Sequence, residues 1–426
     1  MVGLDCHAGG MARIAIAGSF GYMDIGDEAM LTEDLRTIRS LGISAGEVLL
    51  FAAQTDYVSS YHQHPIANCH SSALIAPPTS EAVAKNRKTV GRRIKKALRF
   101  IKLKPDGKRL LQGCDAALIT GGGTINSRPG ASWSLQRIHS IVMEFRRCGL
   151  PVFLSGQTIG PLGQNPQDDR LAKEIVEAVD VLTVRDSLYS RRYMEAIGAR
   201  PKEFIETVDD ACSLPYEDAE LPEYLLEQTR QYRTAAVNVT TYTSDTFEKR
   251  AFMAELIEQL LKRDIVERIT LVSHSPVDLH NLWIINDMVA NIWKDRLTIP
   301  DTRYWRDDSL KRLISCCDVA IGGRYHFIVF AGTSDTPFVG MTGNHYSYVK
   351  QDGFARPIGL TDCVLTERET WDMNGLLARV EAVRGIRLDV ARRFPRPTHS
   401  MQRFARWLRA DLGLNVGELP AMQRST

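Results

Sequence analysis

The chain has 426 residues, of which 44% are apolar and 24% are charged, and its formal net charge is +2. These values exclude a disordered or fibrous protein, and the length predicts two domains because single hydrophobic cores stop growing near about 250–300 residues. Eight scattered cysteines without a C-x-x-C pair exclude a disulfide framework and the usual zinc spacing.

Short aliphatic segments alternate with helical segments along the whole chain. The first set begins at residues 13, 47, 116, 151 and 181, and the second set begins at residues 234, 268, 296, 319 and 336. Such alternation is typical of βαβ units with parallel strands. We therefore predict an α/β protein with two Rossmann-like domains, residues 1–212 and 213–426.

The ends of the two domains show two further features. An acidic segment with two prolines, residues 208–225, reads as the linker between the domains. Residues 400–414 carry apolar and aromatic side chains at helical spacing, and we expect this helix to pack back across a domain. No apolar run approaches the roughly 20 residues of a membrane span, and the start of the chain lacks a signal-peptide pattern. We therefore expect a cytoplasmic protein.

The segment Lys85–Arg109 is unusually basic, with twelve lysines and arginines and a single acid. We favour a solvated insertion between two strands. The alternative is a basic amphipathic helix that rests on an anionic membrane, because its apolar residues fall at helical spacing. Nucleic acid is a poor fit, since the aromatic residues that stack bases are nearly absent.

Ligands of open α/β sheets bind beyond the carboxyl ends of the strands, so the loops after the strands are the places to search for a site. The loop after the first strand contains three glycines without the dinucleotide-binding spacing. It also contains Asp24, Asp27 and Glu28 at the start of a helix, where the helix dipole favours acids. Capping explains one or two of these carboxylates, and three indicate a site that could accept a proton from a substrate hydroxyl.

Two more loops of the first domain carry glycines and polar side chains. The segment 119–130 contains three consecutive glycines that allow a ligand to approach the backbone, followed by Thr124 and Asn126. A tight turn is the alternative interpretation. The segment 154–163 presents Gln157 after another strand.

Charged side chains follow strands in both domains. Arg185 ends an apolar strand before Asp186, which a surface arginine and a capping aspartate would also explain. His274 occupies the corresponding loop of the second domain. Arg324 and His326 stand two residues apart at a strand-to-helix junction, where the arginine could bind an anion and the imidazole could carry a proton. A core histidine is the alternative, but a buried arginine would still need a partner.

Taken in order, these segments resemble the polysaccharide pyruvyl transferase family. The resemblance rests on "GSFGYMDIGDE", "TGGGTIN", "SGQTIGPLG", "VRDSLYS" and "IGGRYH", followed by Pro337 and Lys350, and it runs from about Gly18 to about Gly359. Tyr325 stands where the family has leucine, and Asp24 stands where it usually has asparagine.

The resemblance implies a GT-B-like arrangement with the active site in the cleft between the domains. It also implies transfer of the enolpyruvyl group of phosphoenolpyruvate to a sugar of a cell-surface polysaccharide, such as an exopolysaccharide, or of its precursor, which forms a pyruvate ketal. Neither a metal nor another cofactor is required, since arginines would neutralise the phosphate. The acceptor would be a soluble sugar or a lipid-linked oligosaccharide, and a lipid-linked one would bring the basic segment to the inner membrane face.

The resemblance also assigns the candidate residues to roles. The donor would be bound by Arg185, Ser187, His274, Arg324 and Lys350. The acceptor would be bound by Asp24, Gly122, Gly123, Thr124, Asn126 and Gln157. We hypothesise that His326 is the general acid and that Asp27 or Glu28 deprotonates the attacking hydroxyl. The rival interpretations are a GT-B glycosyltransferase that uses a nucleotide sugar, and an inactive member that binds sugars or anions as a scaffold.

Overall fold

A computed structural model describes residues 12–52, 54–63, 69–70, 109–128, 131–186, 188–302, 305–386, 388 and 399–419. Of the basic segment only Arg109 lies in these ranges, so both interpretations of that segment stay predictions. Ser187 also lies outside the described residues. No helix in the described ranges is long and apolar enough to cross a bilayer.

The first sheet is parallel and contains eight described strands in the order β3-β2-β1-β4-β6-β7-β8, with β5 paired to β6. These strands are β1 (Ile14–Ala17), β2 (Val48–Ala52), β3 (Cys69–His70), β4 (Ala116–Ile119), β5 (Gly122–Ile125), β6 (Val152–Ile159), β7 (Val181–Val184) and β8 (Phe204–Glu206). In the register of the central strands, Ile14 lies opposite Val48 on one side and Ala116 on the other.

The second sheet is also parallel, with its described strands in the order β11-β10-β9-β12-β13. They are β9 (Thr234–Asn238), β10 (Arg268–Val272), β11 (Leu297–Thr298), β12 (Val319–Gly322) and β13 (Phe338–Gly340). We call the part of the chain around the first sheet the first half and the part around the second sheet the second half.

Helices cover the faces of both sheets. They are α1 (Ile25–Ser40), α2 (Thr55–His62), α3 (Ser132–Arg147), α4 (Pro166–Ala178), α5 (Tyr189–Ala196), α6 (Glu223–Gln231), α7 (Thr241–Ser244), α8 (Phe247–Lys262), α9 (Pro276–Met288), α10 (Asn291–Lys294), α11 (Asp307–Ser315), α12 (Tyr325–Thr333), α13 (His345–Ala355), α14 (Glu367–Thr370), α15 (Met373–Arg384) and α16 (Ser400–Arg406). The last helix continues as a π-helical turn, Trp407–Asp411. Because helices cover both faces, the central strands are buried along their length.

The last described helix returns to the first half. The ring of Phe153 in β6 lies 5.2 Å from that of Phe404 and 5.5 Å from that of Trp407, measured between centroids. Ser400, at the start of α16, hydrogen bonds with Ser155 of β6 at 2.7 Å. The first half is therefore built from the N-terminal part of the described chain and from its last helix.

The predicted α/β class with two parallel sheets is confirmed, and each of the ten predicted strands is present. Three short strands, β3, β5 and β8, were not predicted, and for β5 the reason is its two glycines, which disfavour a strand. The domain boundary near residue 212 stays a prediction, and it falls between the end of β8 and the start of β9.

Candidate functional site

A cavity of about 500 Å³ lies between the two halves, where loops after strands of both sheets meet. The candidate residues that line it are Asp24, Asp27, Gly123, Thr124, Asn126, His274, Arg324, His326 and Lys350. They come from segments that are far apart in sequence. The fold therefore gathers most of the candidate residues around one space.

His326 lies in the first turn of α12 and is 6% exposed. Its Nε2 is 3.6 Å from Oδ2 of Asp209, a residue that the sequence analysis did not select. Burial acts to raise the pKa of Asp209, but the Arg185 guanidinium and the His326 imidazole hold it well below its usual range. Asp209 is therefore an ionised carboxylate within ion-pairing distance of the His326 imidazole when that ring carries a proton. The only sequence signal for Asp209 was its place in the pair of aspartates that opens the linker.

The His326 ring also packs against the first turn of α1. A Cβ added at Gly26 would lie 2.0 Å from Nδ1 of His326, so a side chain at Gly26 would displace the imidazole. Glycine at this position, rather than a larger residue, allows the two helix starts to approach.

Asp27 lies in the same first turn of α1 and faces the cavity. Burial and the neighbouring charge of Asp24 raise the pKa of Asp27 to about 7. A carboxyl group that titrates near neutral pH is well suited to accept and return a proton.

Arg324 differs from the expectation of a free anion clamp. Its Nε and Nη2 donate to the two carboxylate oxygens of Asp278, both at 2.8 Å, and its Nη1 donates to Asp24 at 2.8 Å. Although burial acts to raise the pKa of Asp24, the guanidinium lowers it. Two carboxylates thus compensate Arg324, and its role in the structure is to join the second half to the first.

Arg185 lies beneath the cavity and does not line it. It forms a buried ion pair with Asp209, and its Nε donates to Thr158 Oγ1 at 2.9 Å. The ring of Tyr325, which does line the cavity, lies 4.2 Å from the guanidinium carbon. The tyrosine at the family's leucine position therefore covers Arg185, and the structure does not support direct donor binding by this arginine.

Glu28 also lies outside the cavity. Its Oε1 accepts a hydrogen bond from the Gly21 amide at 2.7 Å, and its Oε2 is 2.9 Å from Nε2 of His62. Burial raises the pKa of Glu28 to about 8 and lowers the pKa of His62 to about 4. At pH 7 both groups are mainly neutral, so this carboxyl group hydrogen bonds within the first half and is a poor base.

Gln157 and Gly122 support the cavity wall from behind. The amide nitrogen of Gln157 donates to the carbonyl oxygens of Thr120 at 2.9 Å and Ser155 at 2.7 Å. Gly122 is paired with Gln157 between β5 and β6. Neither residue lines the cavity, so we do not assign them to acceptor binding.

Asn126, Thr124 and Gly123 form the part of this loop that reaches the cavity. The Asn126 side chain donates to the Gly123 carbonyl at 2.7 Å, and the Tyr346 hydroxyl donates to the same carbonyl at 2.8 Å. The glycine loop is thereby fixed against α13 of the second half.

Three cations of the cavity form no ion pair with a carboxylate in the described ranges. Lys350 lies with its Nζ 4.9 Å from the Tyr325 ring, Arg128 lies 4.2 Å from the Tyr346 ring, and Arg137 donates to the Gly18 carbonyl at 2.8 Å. Burial and the nearby Arg185 lower the pKa of Lys350 to about 7, and burial lowers the pKa of Arg137. These three cations are available to an anionic ligand.

Arg128 and Arg137 were not among the predicted site residues. Arg128 follows the glycine loop directly, and that position was the one signal that could have identified it. Arg137 lies within α3, whose basic residues look like an exposed helix face until the packing against Gly18 is known.

A family model described as polysaccharide pyruvyl transferase matches residues 64–345. This range contains the glycine loop, Arg185, Arg324 and His326. No curated protein sequence matches the chain closely enough to count as a relative.

Several solved structures share the fold. UDP-GlcNAc 2-epimerase from Methanocaldococcus jannaschii superimposes with a TM-score of 0.63 at 12% identity, covering 93% of this chain and 99% of that one. The same enzyme in complex with UDP-GlcNAc and UDP gives 0.60 at 12% identity, with the same coverage. The MnaA–UDP structure from S. aureus gives 0.60 at 8% identity, covering 97% and 99%. At these identities the likeness establishes the fold, and it confirms the GT-B-like arrangement.

Proposed function

Since the chain belongs to the polysaccharide pyruvyl transferase family, we propose that it transfers the enolpyruvyl group of phosphoenolpyruvate to two hydroxyls of a sugar and releases phosphate. The observation that carries the proposal is the placement of three uncompensated cations beside Asp27 and His326 in one cavity. The sugar would belong to a cell-surface polysaccharide or to its soluble or lipid-linked precursor.

The cations match the charge of the donor. Phosphoenolpyruvate carries a carboxylate and a phosphate, which require two or more positive groups in fixed positions. Arg128, Arg137 and Lys350 supply them, whereas the charge of Arg324 is already balanced by Asp24 and Asp278. The proposed donor site therefore moves from Arg185 and Arg324 to these three residues.

Two side chains supply the proton transfers of the first step. His326 protonates C3 of the enol while an acceptor hydroxyl attacks C2, and Asp27 removes the proton of that hydroxyl. A new C2–O bond forms, C3 becomes a methyl group joined to C2 by a single bond, and C2 becomes tetrahedral. Oδ2 of Asp209 lies 3.6 Å from Nε2 of His326, close enough to form an ion pair with the imidazole when it carries the proton that this step needs.

The second step closes the ketal. The bond from C2 to the phosphate oxygen breaks, and the second acceptor hydroxyl attacks C2. The proton of that hydroxyl leaves with the phosphate, and the proton that Asp27 accepted in the first step returns through solvent to His326, which restores both side chains. The sum is phosphoenolpyruvate plus a diol giving a pyruvate ketal plus phosphate, and the cations that bind the phosphate also stabilise it as the leaving group.

Incubation with phosphoenolpyruvate and a panel of sugars tests the proposal. Proteins of this fold have been solved with UDP-GlcNAc and UDP bound, so the panel includes UDP-GlcNAc beside free mono- and disaccharides. We expect phosphate release in ³¹P NMR and a sugar whose mass has increased by one pyruvate ketal. Release of UDP from a UDP-sugar without turnover of phosphoenolpyruvate would instead identify a glycosyltransferase. Thermal protection by phosphoenolpyruvate without any turnover would identify an inactive binding protein.

A further inference from the structure

A second cavity of about 590 Å³ adjoins the first, and His274 and Ser275 line both. One wall is α2 of the first half, and the other consists of the segments after β10 and before α11 in the second half. Its volume falls within the range of about 300–1,000 Å³ that is typical of ligand sites. Apart from His274, none of the candidate residues of the first cavity lines it.

Aromatic rings from both halves form its walls. Tyr57 and Tyr61 on α2 have ring centroids 5.5 Å apart, and Trp305 faces the cavity from the second half. Rings of this kind offer flat apolar surfaces with a polar edge. Ser60, Gln63 and Thr302 add hydroxyl and amide groups to the same lining, so the cavity suits a ligand with both apolar C–H faces and hydroxyls.

The two cavities differ in charge. Within the described lining of the second cavity, Arg306 is the one charged side chain, and its Nε lies 3.9 Å from Asp308. The first cavity is lined by two aspartates and four cations. With a single cation, the second cavity lacks the two or more charges that a phosphorylated ligand needs, and the rest of its lining suits a neutral ligand.

His274 lies where the two cavities meet. The residue is fully buried, and its ring lies 5.8 Å from the ring of Phe330 and 5.9 Å from that of Phe327. Neither ring nitrogen has a hydrogen-bond partner among the described residues. Burial lowers the pKa of His274 to about 3, so the ring is neutral and offers one donor and one acceptor.

We propose that the second cavity, named the aromatic subsite after Tyr57, Tyr61 and Trp305, binds the neutral sugar residue next to the one whose hydroxyls react. The acceptor is then a disaccharide or longer glycan that passes His274, with one residue in each cavity. The inference rests on the proposed function for the identity of the reacting sugar, but binding of the neighbouring sugar can be measured without turnover.

Ser60→Trp tests the subsite, because Ser60 is exposed on α2 and its replacement fills the cavity without disturbing the core. Gln54→Trp is the matched control, since Gln54 is exposed at the start of the same helix and lies outside the cavity lining. The probes are galactose and glucose against lactose, cellobiose and maltose, with binding measured by calorimetry and saturation-transfer NMR. We expect at least one disaccharide to bind the wild-type protein tenfold or more tightly than its monosaccharides. Ser60→Trp should abolish that difference, and Gln54→Trp should retain it.

The outcomes separate this inference from the proposed function. The subsite is overturned if none of the disaccharides binds better than its monosaccharides, if Ser60→Trp leaves the preference intact, or if UDP alone competes for the cavity. Loss of disaccharide binding in Ser60→Trp supports the subsite even when phosphoenolpyruvate releases no phosphate, a result that would refute only the pyruvyl transfer. Phosphate release with unchanged disaccharide preference would refute only the subsite.

Discussion

Asp27 and Lys350 face the same cavity, and both titrate near neutral pH for the same physical reason. Burial disfavours charge, so the pKa of Asp27 rises to about 7 and the pKa of Lys350 falls to about 7. The proposed reaction needs Asp27 ionised and Lys350 protonated. Both forms coexist only in a narrow range around pH 7.

We therefore predict that kcat/KM for phosphoenolpyruvate has a bell-shaped dependence on pH. Its acid limb comes from kcat and its alkaline limb from KM. Below about pH 7 Asp27 is protonated and kcat falls, whereas above about pH 7 Lys350 loses its charge and KM for phosphoenolpyruvate rises. Lys350→Arg keeps the positive charge at all these pH values, so its KM should no longer rise on the alkaline side. Steady-state kinetics across the range check this, and a variant KM that rises as in the wild type would contradict it.

Asp27→Asn and Glu28→Gln form a matched pair of neighbouring substitutions. Asp27→Asn removes the proposed base and should lower kcat about 10²–10⁴-fold. Glu28→Gln should retain activity, because a glutamine can accept from the Gly21 amide and can hydrogen bond with His62 in either direction. Equal losses in the two variants would show that Glu28 takes part in the reaction.

His326→Gln tests the general acid. The expected result is a fall in kcat of about 10²–10⁴-fold, with the dissociation constant for phosphoenolpyruvate changed only a few fold, since three other cations bind the donor. Rapid-quench turnover and calorimetric titration measure the two quantities separately. Full turnover in this variant would exclude His326 from proton transfer.

At the scale of elements, the starts of α1 and α12 meet at a glycine. Gly26→Ala places a methyl group where the His326 ring lies, so the imidazole must move. We predict at least a tenfold loss of kcat. Gly46→Ala is the control, because the nearest heavy atom to its added Cβ is 3.9 Å away and no loss should follow. Equal activity in the two alanine variants would show that the His326 position is not critical.

The elements were more predictable than their contacts. The aliphatic runs that form β1, β9 and β12 are buried on both faces, and such runs can be predicted from the sequence without knowledge of the fold. The ion pairs in the cleft could not be predicted from the sequence, because Arg324 and Asp24 are 300 residues apart in the chain. A capping acid and a strand-end arginine looked like two separate ligand-binding groups until the fold paired them.

The sequence also does not show which basic residues line the cavity. Lys350 was found because it belongs to a family motif, whereas Arg137 is one basic residue among several on α3. Its burial and its contact with the Gly18 carbonyl distinguish it from Arg147, which is exposed on the same helix. Helical periodicity alone does not tell which turn of α3 reaches the cleft.

At the scale of the whole molecule, Arg324 joins the halves. Asp278 is fully buried, so Arg324→Ala leaves an uncompensated carboxylate and should lower the free energy of unfolding by about 3–5 kcal/mol. Arg191→Ala is the control, since Arg191 pairs with Glu206 on the surface and its loss should cost about 0–1 kcal/mol. Urea unfolding measures both. Equal stability of the two variants would show that the Arg324–Asp278 ion pair contributes little to the free energy of unfolding.

The return of the last helix to the first half has a consequence for the synthesis of the chain on the ribosome. Phe153 and Ser155 of β6 contact Phe404, Trp407 and Ser400, which are translated about 250 residues later. At about 5–20 residues per second, the nascent first half waits many seconds with this apolar surface uncovered. That surface is covered only once translation reaches the last described helix, and until then it is the kind of exposed apolar surface that chaperones shield in nascent chains.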